Sequence, residues 1–284
     1  MQTYSLDESE DGFGKVFIPH GPWRPLYAEL VAREKIAVVR LSAAMGWQGT
    51  DLSFLAQLTE LRGIEVYAWD IRDASVISKL SNLQLVGLQA DLRTRIDLAL
   101  LPALEVVKAT WKKAIDSVFA CKILRYLNLM NYPATDLSSV AGMTRLTRLA
   151  LTSRQLSSLQ DLAALASLKS LDLDSCPKLA SLSGLGACRD IEHLEITSSR
   201  AFRDASPMAG LRSLNRLRLD DCGEIMTLGP LRSCQSLEYL SFVGTTRIED
   251  GDLSFIDSLP RLRHVQFTPR RHYNRTPAEL MAGR

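Results

Sequence analysis

Aliphatic residues recur along this chain in one short pattern, in which an aliphatic residue is followed three and five positions later by two more. From position 61 onward, successive copies begin 20 to 25 residues apart. In each copy the last two aliphatic residues alternate with other types, as in a short strand with one buried face. Ten copies, given with the number of their first residue, fit the pattern: LRGIEV (61), LQLVGL (83), LEVVKA (104), LRYLNL (124), LTRLAL (146), LKSLDL (168), IEHLEI (191), LNRLRL (214), LEYLSF (237) and LRHVQF (262). A degenerate copy, IAVVRL, begins at Ile36, so the regular interval predicts a protein of about eleven repeats.

The segments between the predicted strands have a pattern of their own. An aspartate at the start can cap a short helical turn, and the apolar residues one and four positions later fall on one face. Helical returns between strands predict parallel strands with right-handed connections. A single repeat cannot bury its apolar side, so stability requires a stack of repeats. Four segments follow this pattern: DLSFLAQL from Asp51, DLSSVAGM from Asp136, DLAALASL from Asp161 and DLSFIDSL from Asp252.

From about Ile36 to Phe267 these repeats resemble leucine-rich repeats, and the segments between them resemble those of bacterial internalins. The resemblance implies an α/β fold, a leucine-rich repeat solenoid or horseshoe. Its parallel β-sheet would lie on the concave side, with short 3-10, helical or irregular segments on the convex side. We expect neither the export signal nor the wall anchor of internalins, so the resemblance supports the fold and not an invasin role.

The two ends of the chain differ from the repeats. We expect residues 1–35, with a helix from Pro25 to Glu34, to form an N-terminal cap over the apolar edge of the first repeat. Residues 36–268 are then the leucine-rich repeat domain. Residues 269–284 are expected to form a C-terminal tail whose last stretch is loosely ordered.

Composition narrows the classes of function. The 284 residues include 34 basic and 32 acidic ones, for a net charge of +2. This near balance gives no general attraction to nucleic acid or to an anionic membrane. Charges interrupt the apolar stretches every few residues, and the acidic N-terminus MQTYSLDESEDGFGK has no signal-peptide pattern. We therefore expect a cytoplasmic protein that binds neither nucleic acid nor membrane, and the resemblance to internalins implies a bacterial one.

The five cysteines follow the repeat. Cys176 and Cys222 each lie three residues after the last leucine of a strand. The other three each lie three residues before the first aliphatic residue of a copy: Cys121, Cys188 and Cys234. Because the repeat places all five, we expect buried, reduced core residues rather than metal ligands or nucleophiles. An odd number of cysteines without a C-x-x-C pair agrees with a reducing compartment.

One acidic cluster, Asp172, Asp174 and Glu195, supports the alternative hypothesis of an enzyme or a divalent-cation-dependent protein. Asp172 and Glu195 occupy equivalent positions on neighbouring strands, which would place their carboxylates about 5 Å apart. Such a pair can act as acid and base or bind a hard cation. The interpretation that we favour is a solvated charge ladder with Arg218 on the next strand. We predict no catalytic residue, metal or cofactor.

Residues next to the strand leucines should point out of the concave face. They are mostly apolar in the N-terminal half, where Val38, Leu85 and Val106 are expected to be exposed, and mostly charged in the C-terminal half. A register shifted by one residue around Trp111 would instead turn some apolar residues inward. We predict thirteen partner-binding residues: Tyr67, Trp111, Tyr126, Met130, Arg148, Asp172, Asp174, His193, Glu195, Arg216, Arg218, Asp220 and Tyr239.

These residues suggest a function. Exposed aromatic residues lower solubility, and apolar patches on a soluble protein mark interfaces. The leading hypothesis is a non-enzymatic module that binds another protein through its concave face, with an inhibitor or immunity-type protein as its specific form. Nucleic-acid binding is disfavoured because acidic residues interrupt the basic ones. The basic residues that could serve it are Lys108, Lys112, Lys113, Arg270 and Arg271.

Overall fold

The structure is a computed structural model that describes residues 3–277 and residue 279. Its α-helix, α1, spans Pro25–Arg33 and ends one residue before the predicted helix. The strands, numbered along the chain, are β1 (Tyr4–Glu8), β2 (Lys15–Pro19), β3 (Val38–Ser42), β4 (Gly63–Tyr67), β5 (Leu85–Gln89), β6 (Val106–Thr110), β7 (Tyr126–Met130), β8 (Arg148–Thr152), β9 (Ser170–Asp174), β10 (His193–Thr197), β11 (Arg216–Arg218), β12 (Glu224–Ile225), β13 (Tyr239–Phe242), β14 (Arg247–Ile248) and β15 (His264–Phe267). Short 3-10 helices lie between strands: Ala43–Met45, Ser53–Gln57, Ser75–Lys79, Leu98–Leu100, Lys113–Ala120, Gln160–Ala164, Leu185–Ala187, Ser206–Gly210, Gly229–Ser233 and Ser254–Ser258.

Within the described residues, thirteen strands form one sheet in chain order, from β1 to β11 and then β13 and β15. The strands β1 and β2 make an antiparallel hairpin, and β2 pairs in parallel with β3. Equivalent repeat positions pair with each other, so Leu171 of β9 lies between Leu149 of β8 and Leu194 of β10. The strands β12 and β14 form a separate parallel pair. The predicted leucine-rich repeat solenoid, with short 3-10 returns, is confirmed.

The chain divides into two compact units, Met1–Leu129 and Met130–Arg284. In both units the aliphatic residues of the repeat pattern fill the core, and side chains such as Val66 and Leu173 are fully buried. Because side chains alternate along a strand, the residues between them point away from this core. We call that side of the sheet the outward face; it is the predicted concave surface. The predicted limits of cap, repeats and tail stay predictions.

Aromatic rings pack together before the first repeat. The ring of Phe17 in β2 is fully buried, and its centroid lies 5.1 Å from that of Tyr4 and 5.0 Å from that of Tyr27. Trp23 packs edge-on against Phe17 and stacks on Phe54 of the first return segment, with centroids 4.1 Å apart. The hairpin and α1 therefore cover the apolar edge of the first repeat, as expected of a cap.

Aspartate caps begin three of the four return segments singled out in the sequence. Asp51, Asp136 and Asp252 each accept a hydrogen bond from the backbone N–H two residues further on, at 2.8, 3.1 and 2.9 Å. Hydrogen bonds from the neighbouring serine lower the pKa of each carboxyl group, to about 2 for Asp252. These bonds satisfy backbone donors at the start of each turn.

The prediction of a cap at Asp161 is wrong. The 3-10 helix begins one residue before it, at Gln160, so Asp161 lies inside the helix. The hydroxyl of Ser158 takes the capping role and accepts the N–H of Gln160 at 3.2 Å. The aspartate pattern in this repeat is displaced along the turn, and a serine fills the position that aspartate holds elsewhere.

The first residues of the C-terminal tail pack against the last repeats and form hydrogen bonds with them. Tyr273 packs edge-on against Phe267 with centroids 5.9 Å apart, and its hydroxyl accepts the N–H of Ile248 at 2.9 Å. The side chain of Asn274 accepts the N–H of Leu253 at 2.8 Å. This part of the tail closes the second unit. The last stretch of the tail was predicted to be loosely ordered, and residues 278 and 280–284 lie outside the described residues.

All five cysteines are free and buried, as the repeat frame predicts. The N–H of Cys176 donates to the Ser199 hydroxyl one repeat later, at 3.0 Å, and the N–H of Cys222 donates to Thr246 at 2.9 Å. The position after the strand is therefore held by a thiol in some repeats and by a hydroxyl in others. Burial raises the pKa of every thiol: to about 11 for Cys121, Cys176, Cys188 and Cys234, and to about 12 for Cys222.

We expect the cysteines of the folded protein to react slowly with a thiol-specific disulfide reagent near neutral pH. Burial blocks access, and the raised pKa values leave little of the reactive thiolate. Titration before and after addition of denaturant measures the difference. Rapid modification of Cys176 or Cys222 in the native protein would contradict the prediction.

Truncation of a strand leucine should destabilise the fold strongly. We expect Leu171→Ala to lower the free energy of unfolding by about 2–5 kcal/mol, because it leaves a cavity between stacked repeats. The adjacent outward residue provides a control, since Asp172→Ala should change stability by less than about 0.5 kcal/mol. Urea denaturation followed by circular dichroism measures both, and similar losses for the two variants would speak against this assignment of faces.

Candidate functional site

The strand register of the second unit brings the predicted charged residues together on its outward face. Neighbouring members of a row lie on adjacent strands, about 4.8 Å apart, so the rows form a continuous surface. The first row holds Arg148, Ser170, His193, Arg216, Tyr239 and His264, the second holds Ala150, Asp172, Glu195, Arg218 and Ser241, and the third includes Thr152, Asp174 and Thr197.

Glu195 is the centre of a charge ladder in this surface. Its carboxylate lies 3.1 Å from Nε of Arg216 and 3.7 Å from Nη1 of Arg218. One strand away, Oδ1 of Asp174 accepts the hydroxyl of Thr197 at 2.6 Å. The favoured interpretation of the acidic cluster, a ladder with the neighbouring arginines, agrees with these contacts.

Asp172, a member of the acidic cluster, has a carboxyl group with a shifted pKa. Partial burial, followed by the nearby charges of Glu195 and Asp174, raises its pKa above the ordinary value. Arg148 and Arg218 act in the opposite direction. Across residues 3–277 and 279, no three His, Cys, Asp or Glu side chains are grouped so that they could hold a metal ion. The cation-site alternative therefore has no geometric support from the described residues.

Tyr239 adds an aromatic residue to the charged surface. The guanidinium of Arg216 lies 4.0 Å from its ring centroid, in the geometry of a cation–π contact. The ring of His264 on the next strand lies 6.3 Å away. His193, in the same row as both, is exposed. Arg216 is thus held between a carboxylate and a ring.

Asp220 does not lie on the open surface, contrary to the prediction. Only 5% of it is exposed. Its Oδ1 accepts the Ser241 hydroxyl at 2.7 Å and the N–H of Val243 at 3.0 Å, and Arg218 donates to Oδ2. Burial on its own would raise the pKa of this carboxyl group, but the three hydrogen bonds outweigh it and the pKa is lowered. Asp220 therefore holds the side chain of Arg218, a member of the charge ladder, from a buried position.

The predicted exposure of apolar residues in the first unit is wrong. Val38, Leu85 and Val106 do point to the outward face but are at most 5% exposed. They belong to an apolar cluster with Phe13, Val16 and Ile18 from the start of the chain, against which Tyr126 packs. The N-terminal segment thus covers the surface that was expected to receive a partner.

Tyr67 is tied into a polar network beside this cluster. Its hydroxyl donates to Oε1 of Glu65 at 2.8 Å, and Nε of Arg40 donates to Oε2 at 2.6 Å. Burial and the Glu65 charge raise the pKa of Tyr67. Gly87 leaves room for the network, because a methyl group there would come within 2.9 Å of the Tyr67 hydroxyl. Both oxygens of the Glu65 carboxylate therefore accept hydrogen bonds from the chain itself.

Trp111 and Met130 are not the exposed anchors that were predicted. Trp111 follows β6, is half-buried and has an enclosed indole nitrogen. The register of β6 is the expected one, with Val107 and Ala109 in the core, so the shifted alternative is wrong. Met130, the last residue of β7, is also half-buried. Trp69, which lies outside the strand positions and was not predicted, is 56% exposed after the end of β4.

Comparison with known proteins identifies the fold. No family model and no curated protein matches the chain, but solved structures do. The internalin InlF of Listeria monocytogenes is 19% identical with a TM-score of 0.59, over 84% of this chain and 77% of that one. The functional domain of InlJ from the same organism is 15% identical with a TM-score of 0.60, over 89% and 57%. A leucine-rich repeat protein of Leptospira interrogans is 15% identical with a TM-score of 0.61, over 88% and 65%. This chain has the leucine-rich repeat fold.

At sequence identities of 15–19%, the likeness shows that these leucine-rich repeat structures share an architecture with the chain. It does not show that the chain binds their partners. The chain spans more than half of the InlJ domain and about two thirds of the Leptospira protein. Among the described residues of this leucine-rich repeat chain, no helix has the length and apolar character needed to cross a membrane. Its cytoplasmic location stays a prediction.

We expect Asp220→Ala to lower the free energy of unfolding by about 1–3 kcal/mol near neutral pH, since it leaves buried donors without an acceptor. A carboxylate whose folded pKa is lowered stabilises the fold above its unfolded pKa, near pH 4, and stops doing so as the pH falls through the folded value. The difference between wild type and variant should therefore shrink in acid. Urea denaturation over a pH series measures this, with the exposed Asp190→Ala as control. A loss that is independent of pH would contradict the assignment.

Proposed function

We propose that this leucine-rich repeat chain is a non-enzymatic protein-binding module whose partner covers the outward face of the second unit. A contrast within the chain carries the proposal. The outward apolar residues of the first unit are buried beneath the N-terminal segment, whereas Arg148, Asp172 and His193 in the second unit are exposed. Function on such a scaffold comes from the residues that it displays.

Tyr239 and Arg216 are the proposed centre of the interface. Tyrosine and arginine are enriched among residues that dominate binding energy. Arg216 is already held by Glu195 and by the Tyr239 ring, so little side-chain freedom remains to be lost when a partner binds. A preorganised, flat pair of this kind suits a partner with an apolar or acidic protrusion.

The charged residues around this pair are proposed to act on association. Arg148, Asp172, Asp174 and His193 lie one to three strands from Arg216, and the first three include charges of both signs. Complementary charges at a rim mainly change the association rate and its salt dependence. Since the whole chain carries a net charge of only +2, such steering would be local to this surface.

The finer proposal is an inhibitor or immunity-type protein that works in the cytoplasm by covering the active surface of a toxin or enzyme. A row of side chains fixed on adjacent strands supports it, because a rigid surface can block another one without rearranging. Inhibition of the captured partner by the purified chain is the corresponding test.

The proposal is tested by isolating the partner from the native host with the purified chain, identifying it and measuring its affinity. We expect Tyr239→Ala and Arg216→Ala each to weaken binding by about 2 kcal/mol, or roughly thirtyfold. Arg189→Ala is the matched control, because Arg189 is an exposed arginine in the turn before β10. If the control abolishes binding while the two outward variants retain full affinity, the partner binds elsewhere and the proposal fails.

A further inference from the structure

The loop between β1 and β2, Ser9–Gly14, lies across the outward face of the first unit. Oδ2 of Asp11 is 2.6 Å from Nζ of Lys108 on β6, a residue 97 positions later in the chain. The side chains of this pair are only 12% and 19% exposed. Two residues after the acid, the Phe13 ring is 4% exposed. The loop thus places one acid and one ring against strands far away in sequence.

The pocket that receives Phe13 is made by the outward face itself. Val38, Leu85 and Val106 from three strands surround the ring together with Val16 and Ile18. The guanidinium of Arg62 lies 5.7 Å from the ring centroid, close enough for a cation–π contact. The face thus contacts the loop at two separate points. The ammonium group of Lys108 pairs with Asp11, and the apolar pocket receives the ring of Phe13.

The loop is longer than the hairpin requires. Its ends are joined by a backbone hydrogen bond from Ser9 to Gly14 at 2.9 Å, and an internal bond from Gly12 to Ser9 at 3.0 Å shapes the turn. Two residues suffice to connect antiparallel strands, but four residues lie between Ser9 and Gly14. Gly12 and Gly14 have φ of 77° and 104°, which other residues adopt only at a cost. The additional length holds Asp11 and Phe13 in position.

Open space continues beside the loop. A cavity of about 410 Å³ is lined by Arg40, Tyr67, Lys108 and Tyr126, with Glu10 of the loop at its edge. The loop therefore occupies part of a larger recess, and a segment that replaced it would find room for flanking residues.

We propose that the outward face of the first unit is a recognition site for a tight turn of a partner protein that carries an acidic residue two positions before an aromatic ring, and that Asp11 and Phe13 are its resident occupants. The partner's acid pairs with Lys108 and its ring enters the Val38, Leu85 and Val106 pocket. A tethered occupant competes at an effective concentration of millimolar order. A turn of a partner protein therefore binds the wild-type chain weakly. It binds tightly once the Ser9–Gly14 loop has moved away from the outward face.

The test uses the full chain with Glu10–Phe13 replaced by the dipeptide Asn-Gly, which closes a two-residue hairpin and keeps β1 paired with β2. The probe is a fluorescent peptide with the sequence of residues 8–15, ESEDGFGK, followed by anisotropy. We expect the shortened chain to bind it at least about tenfold tighter than wild type. Peptides with Ala in place of Asp or of Phe should lose that gain, and Lys108→Ala in the shortened chain should remove the dependence on the acid.

A single substitution keeps the proposal testable if the shortened chain does not fold. Gly12→Ala meets no atom within 4 Å but strains the turn through its positive φ, so it should loosen the loop and raise the affinity for the peptide. Gly142→Ala, at an exposed glycine that also meets no atom within 4 Å, is the matched control and should bind like wild type. The proposal is overturned if a folded variant binds no tighter than wild type, or if the substituted peptides bind equally well. Failure of both loop variants to fold would overturn it as well, since the loop would then be part of the core.

Discussion

The structure depends on one constraint: the aliphatic residues of each repeat can be buried only against the next repeat. The paired positions Leu149, Leu171 and Leu194 show how this is met, because equivalent leucines lie beside each other on adjacent parallel strands. The burial of each such side chain contributes on the order of 1.5–3 kcal/mol. Residues between the leucines do not take part in this stacking. The stacking therefore does not determine which residue types lie on the outward face.

A stack buries its interior but leaves two apolar ends, and the chain closes them differently. At the start, the rings of Phe17, Trp23 and Tyr27 from the hairpin and α1 cover the first repeat. At the other end, Phe267 and Tyr273 close the last one. Aromatic rings suit both places because each removes a large apolar area from water with few rotatable bonds. The first closure is made by residues that precede the repeat pattern, and the second joins Phe267 of the last copy to Tyr273, which follows the pattern.

The difference between repeats and ends explains what the sequence could predict. The period located the eleven repeat strands, which are β3–β11, β13 and β15, and the burial of all five cysteines, because each residue's environment there is set by its place in the repeat. It did not locate β1, β2, β12 or β14. Asp220 was misplaced because its burial depends on Arg218, Ser241 and Val243, which bond to it from outside its own repeat position. Asp161 was misplaced because the capping position of its return segment lies three residues earlier, at Ser158. Phe13 could not be located at all, since its pocket is formed by strands that begin 25 to 93 residues later, at Val38, Leu85 and Val106. Periodicity predicts which residues are neighbours in the stack of repeats. It does not predict the contacts of a segment that crosses the stack.

The charged residues of the second unit are different. Asp172, Glu195 and Arg218 are aligned by the strand register itself, so their grouping could be predicted from the sequence.

The contact between Asp11 and Lys108 also fixes an order of events during synthesis. A ribosome releases the N-terminus first, and the chain grows by about 5–20 residues each second. The hairpin and α1 can form early, but the acid has no ammonium partner until β6 has been made and has joined the sheet. Contacts of such long sequence separation form late because they close a large loop. For several seconds of its synthesis, each new copy of the chain therefore displays an acidic, phenylalanine-bearing turn that its own later strands will cover.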